Sequence, residues 1–327
     1  MGTTTLRNPG INGLNNVDLL LSGINADLLE RPISPTTFIS DLCWVRPGGA
    51  PQGIKTVFPV RFPGNRWQKR ATYEEVKAST PEFASFSVTT ALWAPDAEIL
   101  PALTSVSDLY GLVKDGSAAL IAEGDVELER QLAELIANGV TETTEYDDLS
   151  FFNTNHECNP TRKGLKTFSN YKTNRTLNRQ GILDTLGDLK SMPGPSGNLL
   201  SMPGDLVIFT STAAQYDIAR LYATAKLVPS TAGTATQENV WAGEFQAIHM
   251  QNLADYGAGK YWGIAKVANA KHRPFVFANP SPKQIALEGV SINEHTQTTF
   301  NVSKIKIQDV HGFGYLWPQL VVLCVEP

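Results

Sequence analysis

The 327 residues are 42% hydrophobic and carry 27 basic against 32 acidic side chains, a formal charge of -5. Apolar content suffices for one large core or two ordinary domains, global disorder is excluded, and no positive excess would coat nucleic acid or a membrane surface. Cys43, Cys158 and Cys324 are odd in number, far apart and without Cys-x-x-Cys spacing; neither a disulfide framework nor a zinc site is expected, and synthesis in a reducing cytoplasm is. The first sixteen residues lack a basic-then-apolar signal pattern, and no apolar run approaches the roughly 18 residues that span a bilayer, so a soluble protein without a secretion signal is expected.

Residues 1 to about 40 are rich in Asn, Gly, Thr and Pro, with short apolar runs at Leu19 to Leu21 and Leu28-Leu29. They read as an extended arm with one short helix, ordered by contact with something else. Arg46-Pro47-Gly48-Gly49-Ala50-Pro51-Gln52-Gly53, an extended segment Ile54 to Phe62, the turn Pro63-Gly64-Asn65 and a basic tract with Arg66, Lys69 and Arg70 follow. Together they read as a long projecting hairpin, because about 40 residues bounded by Gly and Pro exceed any ordinary connection in a compact domain. Phe83 to Trp93 reads as a strand returning to the core.

Ser107 to Gly139 is the longest helical signal. Leu109, Leu112, Val113, Leu120, Ile121, Leu128, Leu132, Leu135 and Ile136 fall on one stripe, and 33 residues at about 1.5 Å each make a spine of roughly 50 Å. Gly116 and Gly124 allow a bent or two-piece helix as readily as a straight one, and the polar face, with Glu123, Asp125, Glu127, Glu129 and Glu134 against Arg130, is acidic. A turn-rich stretch through Phe151 and Cys158 follows, then a helical pattern from Thr176 to Leu189. Asp205 to Phe209 reads as a buried central strand, and Thr210-Ser211-Thr212 as the cap of a helix from Ala213 to Ala225. Val228 to Gly243 reads as loop. The remainder is strand-rich: Glu244 to Met250, Tyr261 to Val267, Pro274 to Phe277, Gln297 to Ile307 and Leu320 to Val325.

Few motifs carry chemistry. Asp147, Asp148, His156, Glu157 and Cys158 lie within twelve residues, but zinc needs four ligands at suitable offsets and a Cys-His pair needs a third orienting group. Packing and loop hydrogen bonding are the plainer reading, with a hydrolase using His156 and Cys158 as the alternative. Gly257-Ala258-Gly259-Lys260 lacks the first glycine and the closing Ser or Thr of a phosphate loop. The run Gly312-Phe313-Gly314-Tyr315-Leu316-Trp317-Pro318 reads as a packed corner before a stacking platform or ligand wall. No cofactor and no enzyme activity are expected.

Two stretches carry a resemblance. Glu145-Tyr146-Asp147-Asp148-Leu149-Ser150-Phe151-Phe152-Asn153-Thr154-Asn155-His156 is one; Tyr261-Trp262, Arg273-Pro274-Phe275-Val276-Phe277 and Val310 to Leu320 form the other. Both resemble the Mu-type major head subunit of tailed bacteriophages, within the wider Hong Kong 97 phage-type capsid fold. The resemblance implies an α+β fold with an N-terminal arm (1-45), an E-loop hairpin (46-85), a peripheral domain with the spine (86-164 and 256-327) and an axial domain (165-255). It implies a structural subunit of the virion, made in the bacterial host cytoplasm, that forms hexamers and pentamers of an icosahedral shell around double-stranded DNA without reading its sequence. A separate scaffold protein, a portal and a decoration protein are implied partners; a tail tube or sheath subunit is the nearest alternative. On the implied hairpin, Lys55, Arg61, Arg66, Lys69 and Arg70 are candidates for contact with acidic surface on a neighbour. Lysine-asparagine cross-linking, found in part of the wider fold group, has Lys55 and Lys69 as candidates.

Overall fold

The computed structural model describes residues 37–47, 55–61, 83–94, 98–99, 106–161, 164–195, 197–200, 204–229, 236–257, 259–267, 272–288, 291–292, 300–301 and 304–327. At 37, 47, 58–61, 83–84, 98–99, 106–121, 229, 236–237, 280–288, 291–292, 300–301 and 304–307 it describes the backbone alone. The apolar runs at Leu19 to Leu21 and Leu28-Leu29, the turn at Pro63-Gly64-Asn65 and the residues Arg66, Lys69 and Arg70 lie outside the described residues.

Helix α1 (Thr37–Leu42) buries Phe38, Ile39 and Leu42 and leads directly into β1 (Cys43–Pro47). The Arg273 guanidinium donates to the carbonyls of Ser40 and Asp41 at the end of α1, where unpaired carbonyls and the helix dipole favour a cation. Strands β2 (Lys55–Arg61) and β3 (Phe83–Thr89) form a two-stranded antiparallel ribbon, followed by β4 (Ala91–Trp93) and β5 (Glu98–Ile99). The spine is helix α2 (Val106–Asn138), unbroken through Gly116 and Gly124, so it is one piece. Leu128, Leu132, Ala133 and Ile136 are buried along it, and Leu135 packs beside them.

After the spine come β6 (His156–Glu157), β7 (Thr167–Phe168) and β8 (Tyr171–Thr173). Helix α3 (Arg179–Ser191) begins three residues later than the periodicity suggests, because Asn178 caps it with its Oδ1 2.8 Å from the Gly181 amide. Strand β9 (Asp205–Thr210) precedes α4 (Ala213–Thr224), whose first turn is closed by a reciprocal capping box between Thr212 and Gln215. Where a loop is expected, β10 (Leu227–Pro229) and β11 (Thr236–Glu238) form a small hairpin. The chain continues through β12 (Phe245–His249), α5 (Leu253–Gly257), β13 (Tyr261–Val267), β14 (Phe275–Glu288), β15 (Ser291–Ile292), β16 (Phe300–Asn301), β17 (Lys304–Tyr315) and β18 (Val321–Val325). Strand β14 outruns its expected end at Phe277. Its pairing with β17 shifts register between Ala278 and Ser281 and again before Gln284, so Pro280 and Pro282 fall at irregularities where their missing amides matter least.

Two five-stranded sheets organise the chain. One runs β12-β9-β13-β18-β8 and is buried on both faces. Val207, Phe209, Ala265, Val267, Val321 and Leu323 face the core shared with α1 and α2; Ile208, Trp262, Ile264, Val322 and Cys324 face the core shared with α3 and α4. Burial on both sides explains the uninterrupted apolar run at 205–209. The expected boundary between 255 and 256 falls between β12 and β13, which are strands of this one sheet. The second sheet runs β1-β14-β17-β4, with β5 also on β17, and β1 joins it parallel to β14. Its Phe275 and Phe277 enter the same core as the spine.

Candidate functional site

The loop after the spine is folded around buried polar groups. Phe151 and Phe152 sit edge to face with centroids 4.9 Å apart and fill the core under the spine. His156, fully buried, places Nδ1 2.7 Å from Asp147 Oδ2 and Nε2 3.0 Å from the Phe151 carbonyl oxygen, while its ring stacks on Phe168. Asn170 donates to the carbonyls of Phe151 and Pro318 at 2.8 and 3.1 Å and accepts from the Asn153 amide. The Tyr146 hydroxyl donates to the Cys158 carbonyl at 2.9 Å and meets Gln319 Nε2; burial pushes its ionisation well above the ordinary tyrosine value.

This wiring does not make a nucleophile. A Cys-His hydrolase needs an imidazole nitrogen facing the thiol and an opening to substrate. Both nitrogens of His156 are occupied by Asp147 and a backbone carbonyl, and the Cys158 side chain is fully buried within the core that also holds Phe168, Leu177 and Leu189. Among the described residues, no group of three or more His, Cys, Asp or Glu could hold a metal ion, and no helix is long and apolar enough to cross a membrane.

A second buried chain of polar groups ties the spine to β17. His311 Nδ1 lies 3.0 Å from Asp309 Oδ2 and Nε2 2.9 Å from Gln131 Oε1. Gln131 donates onward to Glu127, which Arg130 grips through two nitrogens at 2.6 and 2.8 Å. That hydrogen bond holds the Glu127 carboxyl below the ordinary glutamate range. Arg130 also reaches the Tyr256 hydroxyl of α5 at 3.2 Å. Further along the acidic face, burial and then Asp125 raise Glu129.

The root of the β2-β3 ribbon crosses the outer face of β17. A methyl carbon added at Gly314 would lie 2.6 Å from Val88 Cγ2, and one at Gly312 would run into the Thr89 carbonyl oxygen. The two glycines leave the track on which β3 lies. On the opposite face of the same strand, Phe313 packs on Phe277 and Tyr315 on Phe151, with centroids 4.8 and 4.7 Å apart. Phe86 of β3 enters a socket of Tyr146, Leu316, Trp317 and Leu320. The 312–318 run is therefore a packed corner, and its alternating glycines and aromatics serve two different neighbours.

Of the five basic candidates, Lys55 stands at the ribbon root with its side chain 56% exposed, paired with Glu145 of its own chain, which is 43% exposed. That bond, assisted by Ser87, holds the Glu145 carboxyl below its ordinary value. Arg61 ends β2, where the backbone alone is described. The structure thus places one candidate side chain beside the spine loop. Sequence reading did not single out Phe86, Glu145, Gly312 or Gly314 as a unit; only the glycine spacing inside an aromatic run signals a close crossing.

No protein-family model and no curated protein matches the chain. Among solved structures it is similar to the capsid structure of the cyanophage P-SCSP1u, at 11% identity over 86% of each chain with a TM-score of 0.50. It is also similar to a chain of Mycobacterium phage Patience (12% identity, 94% of this chain and 88% of that one, TM-score 0.49) and to the capsid of Myoviridae phage XM1 (12%, 90% and 92%, 0.46). The first of these likenesses assigns the fold. The chain has the expected α+β Hong Kong 97 phage-type fold.

Proposed function

We propose that this chain is the structural major head subunit of a tailed phage, assembling with copies of itself into hexamers and pentamers of an icosahedral shell around double-stranded DNA. The observation that carries the reading is the match of fold to a phage capsid structure across 86% of both chains. The arrangement of parts supports it: a two-sided core, a long spine and a ribbon rooted on the outer face of a sheet. A shell subunit must make several heterologous contacts at once, and projecting elements add contact area without enlarging the core. A tube or sheath subunit would not call for a 33-residue helix beside a second helical layer.

The finer assignments belong to the same reading. The Mu-type subclass rests on the two sequence stretches quoted above. The arm (1-45), E-loop (46-85), peripheral (86-164 and 256-327) and axial (165-255) divisions are functional units in it. Arg61, Arg66, Lys69 and Arg70 meet acidic surface on a neighbour, setting register and association rate more than raw affinity, whereas Lys55, the fifth candidate, is paired with Glu145 of its own chain. A separate scaffold, a portal and a decoration protein are its partners, and the product is a virion component made in the bacterial cytoplasm. No catalysis is assigned.

Size-exclusion chromatography with multi-angle light scattering, on the protein alone and with its particle partners, followed by negative-stain imaging, tests the reading. Rings or closed shells of megadalton mass are expected. A monomer or dimer under every condition, without curved assemblies, overturns it.

A further inference from the structure

Two buried histidines are each caught between two acceptors. At His156 these are the Phe151 carbonyl oxygen, 3.0 Å from Nε2, and Asp147 Oδ2, 2.7 Å from Nδ1. A carbonyl can only accept, so Nε2 carries a hydrogen. Asp147 also accepts from the amides of Leu149 and Glu157, which marks it as a carboxylate, so Nδ1 carries one too. At His311 the same logic runs through one more residue. Arg130 grips Glu127 and keeps it ionised. Gln131 therefore turns Nε2 to Glu127, at 3.0 Å, and Oε1 to His311 Nε2, at 2.9 Å; the flipped amide would set two acceptors face to face. His311 Nε2 is thus a donor, and its Nδ1 faces Asp309 Oδ2 at 3.0 Å.

A neutral imidazole has a single N–H and cannot serve two acceptors. Counter-charge asks for the same answer. Asp147 and Asp309 have side chains only 3% and 7% exposed, and among the described residues no cation but its own histidine pairs with either. A buried carboxylate without a positive partner is strongly disfavoured. Trp93 lies parallel to the His311 ring with centroids 5.4 Å apart, the seat an indole face offers a cation. We infer that His156 and His311 are both imidazolium ions in the folded chain and act as two proton-operated clasps on the spine. His311 joins the C-terminal third of α2 to β17, and His156 closes the loop that leaves the end of α2. When either ring gives up its second proton, an acceptor loses its donor and the pair becomes a buried anion, so the clasps are shut at neutral pH and open as pH rises. Glu127, backed by Arg130, is the other charged group on the His311 side. On the His156 side Tyr146 stands edge-on to the ring, and Glu157 and Cys158 follow it in the chain. The inference does not depend on the shell reading.

Magic-angle-spinning NMR on sedimented full-length protein with nitrogen-15-labelled histidine reads the ring nitrogens directly, whether the chain is assembled or not. A bare ring nitrogen resonates far downfield of a protonated one. His249→Gln, His272→Gln and His295→Gln together leave only the two rings in question. At about pH 8, above the roughly 6.5 at which free imidazole loses its proton, both rings should show two protonated nitrogens. A bare nitrogen on either ring overturns the assignment. Should the triple variant not fold, the unaltered protein decides by count, and fewer than two doubly protonated rings at that pH overturn it. The clasp is tested by raising the pH further. Hydrogen exchange at the amides of Gln131 to Ile136 should quicken, after correction for intrinsic rates, by about tenfold as the bare-nitrogen signal of His311 grows, the equivalent of one charge-assisted hydrogen bond. Exchange that stays unchanged while the ring loses its proton overturns the clasp.

Discussion

His156 shows how much a single buried side chain holds in this molecule. Its two nitrogens meet a buried carboxylate and a backbone carbonyl, and Asp147 in turn accepts from the amides of Leu149 and Glu157 at 3.3 Å. Both acceptors keep another donor when the ring is removed, the Phe151 carbonyl from Asn170 and Asp147 from those amides, so the loss is that of two buried hydrogen bonds and of the ring's packing. His156→Ala is expected to lower the unfolding free energy of the subunit by about 2 to 4 kcal/mol in urea titration, from two lost buried hydrogen bonds and the cavity left by the ring. His156→Ala with Asp147→Leu should recover part of the loss; no recovery would show that the ring's packing on Phe168, and not its hydrogen bonds, holds the loop. Gly314→Val tests the opposite problem, too little room. Its branched side chain meets Val88 and the Ser87 carbonyl, and overpacking of this kind costs about 1 to 3 kcal/mol. The midpoint in urea should fall accordingly, and an unchanged midpoint would mean that β3 does not press on β17 in solution. Neither effect was readable residue by residue, because Asp147 and His156 were visible as a polar cluster but their partner carbonyl, and the Gln131 that meets His311 from 180 residues away, are set only by tertiary contact.

Among the elements, those whose chemistry is local were legible and those defined by a distant partner were not. The spine, β9 and the capped start of α4 followed from apolar period, run length and Thr212. The β10-β11 hairpin was read as loop because Pro229 and the Thr-Ala-Gly stretch after it carry no alternation. Strand β1 was not read as a strand because its parallel partner β14 lies 232 residues on, with Cys43 opposite Phe275. The ribbon root has a pH signature of its own. Glu145 is held below its ordinary value of 4.5 by Lys55 and Ser87, so its contribution is present above that value and disappears as pH falls through the lower folded value. Both groups are exposed, so the effect is small, at most about 1 kcal/mol. Hydrogen exchange at the β3 amides should quicken, after correction for intrinsic rates, on acidification below pH 4.5, and should lose that step in Lys55→Met. A step that survives in Lys55→Met would assign it to another carboxylate.

For the molecule as a whole, the ribbon contributes to neither five-stranded sheet. Deleting Gln52 to Val76 should therefore leave a folded subunit, with far-ultraviolet circular dichroism close to that of the parent, that no longer forms shells. Intact shells from the deletion would remove the contact-arm argument, while an unfolded product would show that Phe86 and its socket depend on the paired strand. The double-faced sheet has a further consequence, in the order of events during synthesis. Strand β18 follows every other strand in the chain yet lies inside the sheet, between β13 and β8, and its residues plug both cores. Until Val321 to Val325 have been made, the two halves have a slot between them and exposed apolar walls on either side of it. One short strand thus closes both cores at once, so neither half of the fold is complete without it.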